Sequence, residues 1–177
     1  MLTMRSSRGK SDLDEITHLL KTCEAVDPPD KWPSGSDILM QFDAPSVDMH
    51  RDIRLWQDTD GRLMASSGLM IPSEAEEVLD GFLWFRIHPR ARVDTLYRQI
   101  IAWGEERMRE VGQERGMEVK LLSAAVAEQT EDIALLESCG FRIERYFLTM
   151  VRLLTEPIPE PQLPEGFTLR HLQSITH

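Results

Sequence analysis

Residues 81–93 read GFLWFRIHPRARV, and residues 94–116 read DTLYRQIIAWGEERMREVGQERG. The apolar run 81–87 is short and rich in aromatic residues. It predicts a buried strand that ends before Pro89, because proline cannot donate to a strand ladder. Apolar residues then recur at helical spacing, at Leu96, Ile100, Trp103 and Val111. The stretch therefore predicts a strand, a turn and a long amphipathic helix, whose first N–H groups can hold an anion.

Two passages resemble motifs of a known family. Ile87-His88-Pro89-Arg90-Ala91-Arg92, leading into a helix, is similar to the central motif of the GNAT acetyltransferase superfamily. Residues 133–141 (IALLESCGF) resemble that family's later helix, which ends in Gly-Phe before a long strand. The resemblance covers residues 1–155. It implies the GNAT fold, an α/β fold with a mixed sheet: antiparallel N-terminal strands, then β-α-β-α with a parallel pair and a splayed gap between the parallel strands.

The resemblance also implies a site. It assigns the thioester carbonyl of acetyl-CoA to backbone N–H groups of the central strand, and the pyrophosphate to the turn that opens the helix. The residues at these positions are Phe85, Arg86, Ile87, Arg92, Val93, Asp94, Thr95, Leu96 and Tyr97. The implied activity is acetyl transfer from acetyl-CoA to an amine of a small molecule or a peptide.

The turn departs from the family's pattern, which is Arg/Gln-x-x-Gly-x-Gly/Ala. Counting from Arg92, Thr95 and Tyr97 stand at the glycine positions, where a Cβ crowds an approaching phosphate. Asp94 adds a carboxylate that repels phosphates and that is predicted to cap the helix. We therefore expect acetyl-CoA to bind weakly.

The sequence does not assign a general base or a general acid. Gly81 stands where some family members carry a glutamate, and the adjacent Asp80 should face the other side of the sheet. Leu136 stands at the position of the family's tyrosine and is expected in the core. Tyr146, on the predicted final strand, could replace that tyrosine only by a coincidence of geometry. The catalytic residues stay unassigned.

Composition excludes several classes of protein. The 177 residues are 41% hydrophobic and 28% charged, as expected of an ordinary globular domain. A net charge of -10 argues against nucleic acid and anionic membranes; it either favours a cationic amine substrate or simply solvates the surface. No apolar run reaches membrane length, the N-terminus has no signal-peptide core, and there are only two cysteines, so a reduced cytoplasmic setting is the default expectation. Cys23, Cys139 and the five scattered histidines predict neither a disulfide framework nor a metal site.

Local patterns predict the remaining elements. Strands are expected at residues 2–5, 51–57, 62–71, 77–87, 118–126 and 142–154, and helices are expected after Ser11, after Ser34 and from Thr130 to Gly140. Ser11 and Thr130 are predicted helix caps. The strand at 118–126 should run parallel to the central strand, because a long helix separates them.

The C-terminal residues predict a change of domain. Residues 156–166 form a linker rich in proline and glutamate. Phe167-Thr168-Leu169-Arg170 then echoes Leu2-Thr3-Met4-Arg5, which suggests that residues 167–177 begin a second, truncated GNAT-like domain of a tandem protein. The rival interpretation makes 167–170 the last strand of the domain formed by residues 1–155.

Two functions follow from these patterns. One is an N-acetyltransferase that works mainly by positioning and by the strand amides. The other is a degenerate, non-catalytic GNAT domain that supports or regulates a catalytic partner domain. The expected partners are an amine acceptor and either a second GNAT domain or an identical chain, with no nucleic acid and no membrane.

Overall fold

The apolar run at residues 81–87 forms the larger, C-terminal part of β4 (Val78–Ile87), a strand with a neighbour on each side in a five-stranded sheet. The computed structural model describes residues 2–26, 35–41, 47–148, 150–155, 157–158, 160, 162–168 and 170. The chain divides into two units, residues 1–142 and 143–177, and each is described by itself.

Unit 1 contains five strands and five helices among its described residues. The strands are β1 (Thr3–Ser6), β2 (Ile53–Gln57), β3 (Leu63–Met70), β4 (Val78–Ile87) and β5 (Glu118–Leu122). The helices are α1 (Leu13–Glu24), α2 (Gly35–Gln41), α3 (Met49–Asp52), α4 (Asp94–Arg115) and α5 (Thr130–Ser138), with short 3-10 turns at Gly9–Asp12 and Pro89–Ala91. The sequence predicts that the helix after Ser34 includes Phe42 and ends near Pro45, and these two residues lie outside the described ones.

The sheet has the order β1-β2-β3-β4-β5. The first three pairings are antiparallel, whereas β5 runs parallel to β4. The long helix α4 connects the parallel pair, because strands that run the same way need a crossover between them. This confirms the predicted mixed α/β sheet.

Successive side chains of β4 pack into two different cores. The residues Leu79, Leu83 and Ile87 face α4, together with Leu96 and Ile100. Trp84, which alternates with them, packs on the other face against α1 and α2. Both faces of the strand are therefore covered, which explains why residues 81–87 are almost continuously apolar.

Glycines allow α4 to lie close to the sheet. A Cβ on Gly104 would lie 3.1 Å from both methyl groups of Leu83, and one on Gly112 would lie 3.0 Å from Cγ1 of Val119. Such distances are shorter than ordinary contacts between side chains. Because Gly104 and Gly112 have no side chain, α4 can lie close to Leu83 on β4 and to Val119 on β5.

The predicted caps at Ser11, Asp94 and Thr130 are wrong. The N-cap residues are Asp12, Val93 and Gln129, and none of them forms a side-chain capping bond. Ser11 Oγ instead donates to the carbonyl of Arg8. The carbonyl of Val93 accepts from the N–H groups of Leu96 and Tyr97, and no side chain caps the start of α4.

Unit 2 contains no helix or strand among its described residues, so the strand predicted at residues 142–154 is wrong for them. Alternating and β-branched residues favour a strand, but a strand also needs a partner for its ladder, and local sequence does not supply one. The large apolar side chains here are exposed: Ile143, Tyr146, Phe147, Leu148, Met150, Val151, Leu153 and Leu154. Residues 167, 168 and 170 lie in no strand either; the second domain expected from residue 167 stays a prediction.

Candidate active site

The parallel strands separate halfway along β4. Their register runs from Val78 opposite Glu118 to Phe82 opposite Leu122 and stops there. β4 continues to Ile87, still paired with β3 on its other side. Residues 83–87 therefore border a space that no described strand fills, and we call it the β4 opening.

Hydrogen bonds on β4 show which backbone groups face this opening. The N–H of His88 donates to the carbonyl of Met64 on the β3 side, at 2.8 Å. On the opposite side, Ser123 Oγ donates to the carbonyl of Leu83 at 3.1 Å. Because backbone groups alternate along a strand, those of Phe85 and Ile87 face the opening.

The strand positions suggested by the family resemblance thus divide into two sets. The N–H groups of Phe85 and Ile87 point into the opening and have no acceptor among the described residues. The N–H of Arg86 points toward β3, because Arg86 pairs with Ser66. Two of the three strand donors are consequently placed to meet a ligand.

The carbonyls that face the opening already accept hydrogen bonds. Nη1 of Arg86 donates to the carbonyl of Phe85 at 2.8 Å, and Cys23 Sγ donates to that of Ile87 at 3.3 Å. Together with Ser123, these side chains leave donors rather than acceptors exposed along the strand edge. Such an edge is chemically suited to a ligand carbonyl.

The helix start beside the opening carries residues 92–97. The carbonyl of Val93 accepts from the N–H groups of Leu96 and Tyr97, which leaves those of Asp94 and Thr95 without a described acceptor. The Asp94 side chain is exposed in the first helical turn, so a negative charge stands at the positive end of the helix dipole. An incoming phosphate would meet that charge.

The two residues at the family's glycine positions behave differently. Thr95 is exposed. Tyr97 turns toward β4, and its ring packs edge-on against Phe85, with 5.7 Å between centroids and 87° between planes. Leu96, between them, is buried in the core. The ring of Tyr97 therefore lies beside β4, next to the residue whose N–H faces the β4 opening.

The structure explains why no carboxylate stands at position 81. A Cβ on Gly81 would overlap Sδ of Met108 and lie 2.6 Å from its Cε. Asp80 faces the other side of the sheet from Gly81, as β-strand alternation requires. Leu136 is 9% exposed and belongs to the core, as expected, while Tyr146 is 78% exposed and lies in unit 2.

Positive charge gathers where β4 ends. The pKa of His88 is lowered because its ring is partly buried and because Arg90, Arg62, His18 and Arg92 place positive charge around it. Nδ1 of His88 accepts from the N–H of Arg90, so the neutral ring carries its proton on Nε2. The neutral ring of His88 therefore presents Nε2–H as its hydrogen-bond donor.

Sequence reasoning missed Cys23 and Ser123. Each donates to a backbone carbonyl distant in the chain, so no local motif marks it. Among the described residues, no three His, Cys, Asp or Glu side chains are grouped to hold a metal ion. No helix in the described part of the chain is long and apolar enough to span a membrane.

Solved structures share this architecture. A GCN5-related N-acetyltransferase from Sphaerobacter thermophilus is similar with a TM-score of 0.62 and 21% identity, over 80% of this chain and 43% of that one. The aminoglycoside N-acetyltransferase AAC(6')-Iy in complex with CoA gives 0.56 and 18%, over 86% and 96%. Glucosamine-6-phosphate N-acetyltransferase from Arabidopsis thaliana gives 0.55 and 12%, over 87% and 99%.

The chain has the GNAT fold, as its sequence motifs predict. At these identities the likeness shows the fold alone. The sequence matches no family model. It matches no curated protein. This chain spans less than half the length of the Sphaerobacter thermophilus protein.

Proposed function

We propose that the protein is an N-acetyltransferase that uses acetyl-CoA as co-substrate and transfers the acetyl group to an amine. The observation that carries this proposal is the β4 opening, where the N–H groups of Phe85 and Ile87 stand without an acceptor among the described residues. The fold and the neighbours that bind CoA support it.

The opening supplies the donors that acyl transfer requires. When an amine attacks a thioester carbonyl, negative charge develops on the carbonyl oxygen, and fixed N–H donors stabilise it. The thioester arm of the co-substrate is an extended, amide-bearing chain, which can lie along the free edge of β4 as an added strand would. The N–H of Phe85 or Ile87 then meets the carbonyl oxygen.

The reaction needs two proton movements. The amine nitrogen forms the new C–N bond and loses a proton, while the C–S bond breaks and the departing thiolate gains one. Gly81 and Leu136 offer neither a base nor an acid at the positions that the family resemblance suggests. We infer that water carries both protons and that the rate enhancement comes from positioning and from the strand amides.

We propose that residues 92–97 bind the phosphates of the co-substrate weakly. Asp94 opposes a phosphate at the helix start, whereas the positive charge around His88 attracts one. The acceptor is proposed to be a cationic amine, because the chain carries a net charge of -10. The neighbour named as an aminoglycoside N-acetyltransferase illustrates such an acceptor.

A second function is favoured by specific observations. Gly81 packs on Met108, Leu136 is buried, and Asp94 stands at the phosphate turn, so the site could serve a non-catalytic domain that supports a catalytic partner. The partner would be a second GNAT domain that begins at residue 167, or an identical chain. The Sphaerobacter thermophilus protein, of which this chain spans 43%, motivates the tandem arrangement.

The proposed compartment is the cytoplasm. Cys23 and Cys139 form no disulfide bond in the structure. Free thiols are typical of reducing compartments.

Calorimetry with acetyl-CoA, followed by assays of CoA release with a panel of amines, tests the proposal. Phe85→Pro removes one N–H that faces the opening, and β3 pairing does not use that N–H. Phe85→Leu is the matched control, since it keeps the N–H but loses the ring. We expect Phe85→Pro to fold cooperatively and lose at least ~10-fold in kcat, and Phe85→Leu to keep most of it.

Two outcomes would redirect the proposal. Binding of acetyl-CoA without turnover of any amine would favour the non-catalytic domain. Equal activity of the Phe85→Pro and Phe85→Leu variants would show that the strand donor has no part in the reaction.

A further inference from the structure

A groove lies on the α4 face of the sheet, beside β2 rather than beside the β4 opening. It has a volume of ≈ 420 Å³ and is lined by Arg51, Arg54, Trp103, Glu106, Arg107 and Glu110. This volume is within the range of small-molecule sites. Along the axis of α4, Trp103 lies about 13 Å from Asp94, because each helical residue adds about 1.5 Å. We call this site the Arg54 groove.

Two of its three guanidinium groups are already paired. Arg107 is 6% exposed; its Nε contacts Oδ1 of Asp52 at 2.8 Å, and its Nη1 contacts Oε2 of Glu110 at 3.1 Å. Arg51 pairs with Glu114 and lies 3.7 Å from Glu110. Their charges are therefore satisfied within the chain.

Arg54 is bonded differently. Its Nη1 donates to the carbonyls of His50, Arg51 and Ile53, at 2.9, 3.2 and 3.0 Å. Its guanidinium carbon lies 5.5 Å from the ring centroid of Trp103. No carboxylate of the described residues forms an ion pair with it, and its Nε and Nη2 have no described acceptor.

These contacts fix the orientation of the Arg54 guanidinium. Three carbonyls lie within hydrogen-bonding distance of Nη1, and the ring of Trp103 lies beside the guanidinium group. The remaining edge, formed by Nε and Nη2, is the side-on fork that binds two coplanar oxygens. Because the side chain is already ordered, a ligand would lose little affinity to ordering it.

The surroundings of Arg54 disfavour the charged form of its guanidinium group. Partial burial lowers its pKa, and the nearby charge of Arg107 lowers it further, although Glu110 and Asp52 oppose this. An anion bound to Nε and Nη2 would favour the charged form. The bonds to the α3 carbonyls explain why Arg54 is ordered, but they leave the open edge unused.

The carboxylates of the groove do not compete for this edge. Glu110 is bonded to Arg107, and Glu106 lies 3.3 Å from Nη1 of Arg109. They nevertheless place negative charge near the groove, which weakens the binding of an anion.

We propose that the Arg54 groove binds a small carboxylate ligand, with the carboxylate side-on to Nε and Nη2 of Arg54 and a flat apolar group beside Trp103. The site is independent of the proposed acetyl transfer, because it lies on β2, α3 and the middle of α4. Nothing in its geometry requires acetyl-CoA.

An NMR titration with sodium benzoate at constant ionic strength tests the proposal. The Nε–H of Arg54 and the indole N–H of Trp103 should shift together and saturate. Sodium acetate, which lacks the flat group, should bind more weakly. Inorganic phosphate should also bind more weakly, because its tetrahedral oxygens do not lie flat on the fork.

Three variants separate this site from a general charge effect. Arg54→Lys keeps the charge but loses the fork, and benzoate affinity should fall about tenfold. Arg51→Gln removes an equal charge that is already paired in the same groove, and the affinity should change less than about twofold. Trp103→Leu should remove the advantage of benzoate over acetate. One-dimensional spectra of each variant report whether it remains folded.

Two results would overturn the proposal. The first is a benzoate titration that moves neither resonance in the wild-type chain. The second is an equal loss of affinity in Arg54→Lys and Arg51→Gln, both folded, since this would reduce the effect to net charge.

Discussion

Replacing Gly81 with alanine tests how closely α4 approaches β4. The new Cβ would overlap Sδ of Met108 and would lie 2.6 Å from Cε and 3.2 Å from Cγ. Met108 is 1% exposed, so its side chain has little free space into which it can move. The substitution therefore forces a rearrangement in the core that joins the helix to the parallel strands.

The cost can be estimated from the contacts at Gly81. Added methyl groups in a packed core cost ~1–3 kcal/mol, and the burial of Met108 places this case in the upper part of the range. Replacing glycine inside a strand recovers ~0.5–1 kcal/mol of chain entropy. We expect Gly81→Ala to lower the free energy of unfolding by a net ~1–2 kcal/mol.

Urea denaturation of four chains measures this effect: wild type, Gly81→Ala, Met108→Ala and the double variant. In the Met108→Ala background the alanine at 81 should be neutral or stabilising, because the overlapping atoms are gone. Gly104→Ala is a milder control, since its contacts with Leu83 are longer and helix propensity favours alanine. An unchanged or higher stability of Gly81→Ala in the wild-type background would refute the reasoning, and position 81 could then accept a side chain.

Three further predictions concern the charged groups. Asp52→Asn should cost ~1–3 kcal/mol in urea denaturation, because Arg107 loses its buried carboxylate partner and keeps only the more exposed Glu110 and Glu114. Asp94→Asn should change stability by less than ~1 kcal/mol, since Asp94 is no cap, and calorimetry should show tighter CoA binding. Asp12→Asn should make the free energy of unfolding depend less on pH in acid. Burial raises the pKa of Asp12, but hydrogen bonds from Arg5 and from the Arg8 N–H lower it by more, so the net shift is downward. The wild-type carboxylate thus stabilises above about pH 4 and loses that contribution as pH falls through its folded pKa, which denaturation at a series of pH values follows.

The sequence predicts the parallel pair and its connecting helix well. Residues 81–87 are apolar on both faces, and residues 94–115 repeat at helical spacing, so both patterns are local. The GNAT motifs in the same stretch point to the fold that the structure has. The lengths of β4 and α4 follow from these patterns to within a few residues.

The helix starts and the strand at 142–154 were predicted less well. A cap depends on which polar partner is nearest: Asp12 is held by Arg5 and by the N–H of Arg8, whereas Ser11 turns away. A strand depends on an edge to pair with, which its own residues do not encode. Both outcomes are decided by groups distant in sequence.

The candidate site shows the same division. The resemblance selects Phe85, Arg86 and Ile87 together, but only strand pairing shows that the N–H of Arg86 faces β3. The contact of Tyr97 with Phe85 and that of Gly81 with Met108 likewise require the packed helix. The resemblance therefore proposes a set of residues, and strand pairing and packing show which of their N–H groups face the β4 opening.

Amide hydrogen exchange at four residues of β4 tests the central claim most directly. In the free protein, the amides of Phe85 and Ile87 should exchange faster than those of Trp84 and Arg86, which pair with β3. Saturating acetyl-CoA should slow and shift the first two and leave the other two nearly unchanged. If acetyl-CoA leaves Phe85 and Ile87 unaffected, or if all four amides are equally protected in the free protein, the β4 opening is not the site of acetyl transfer.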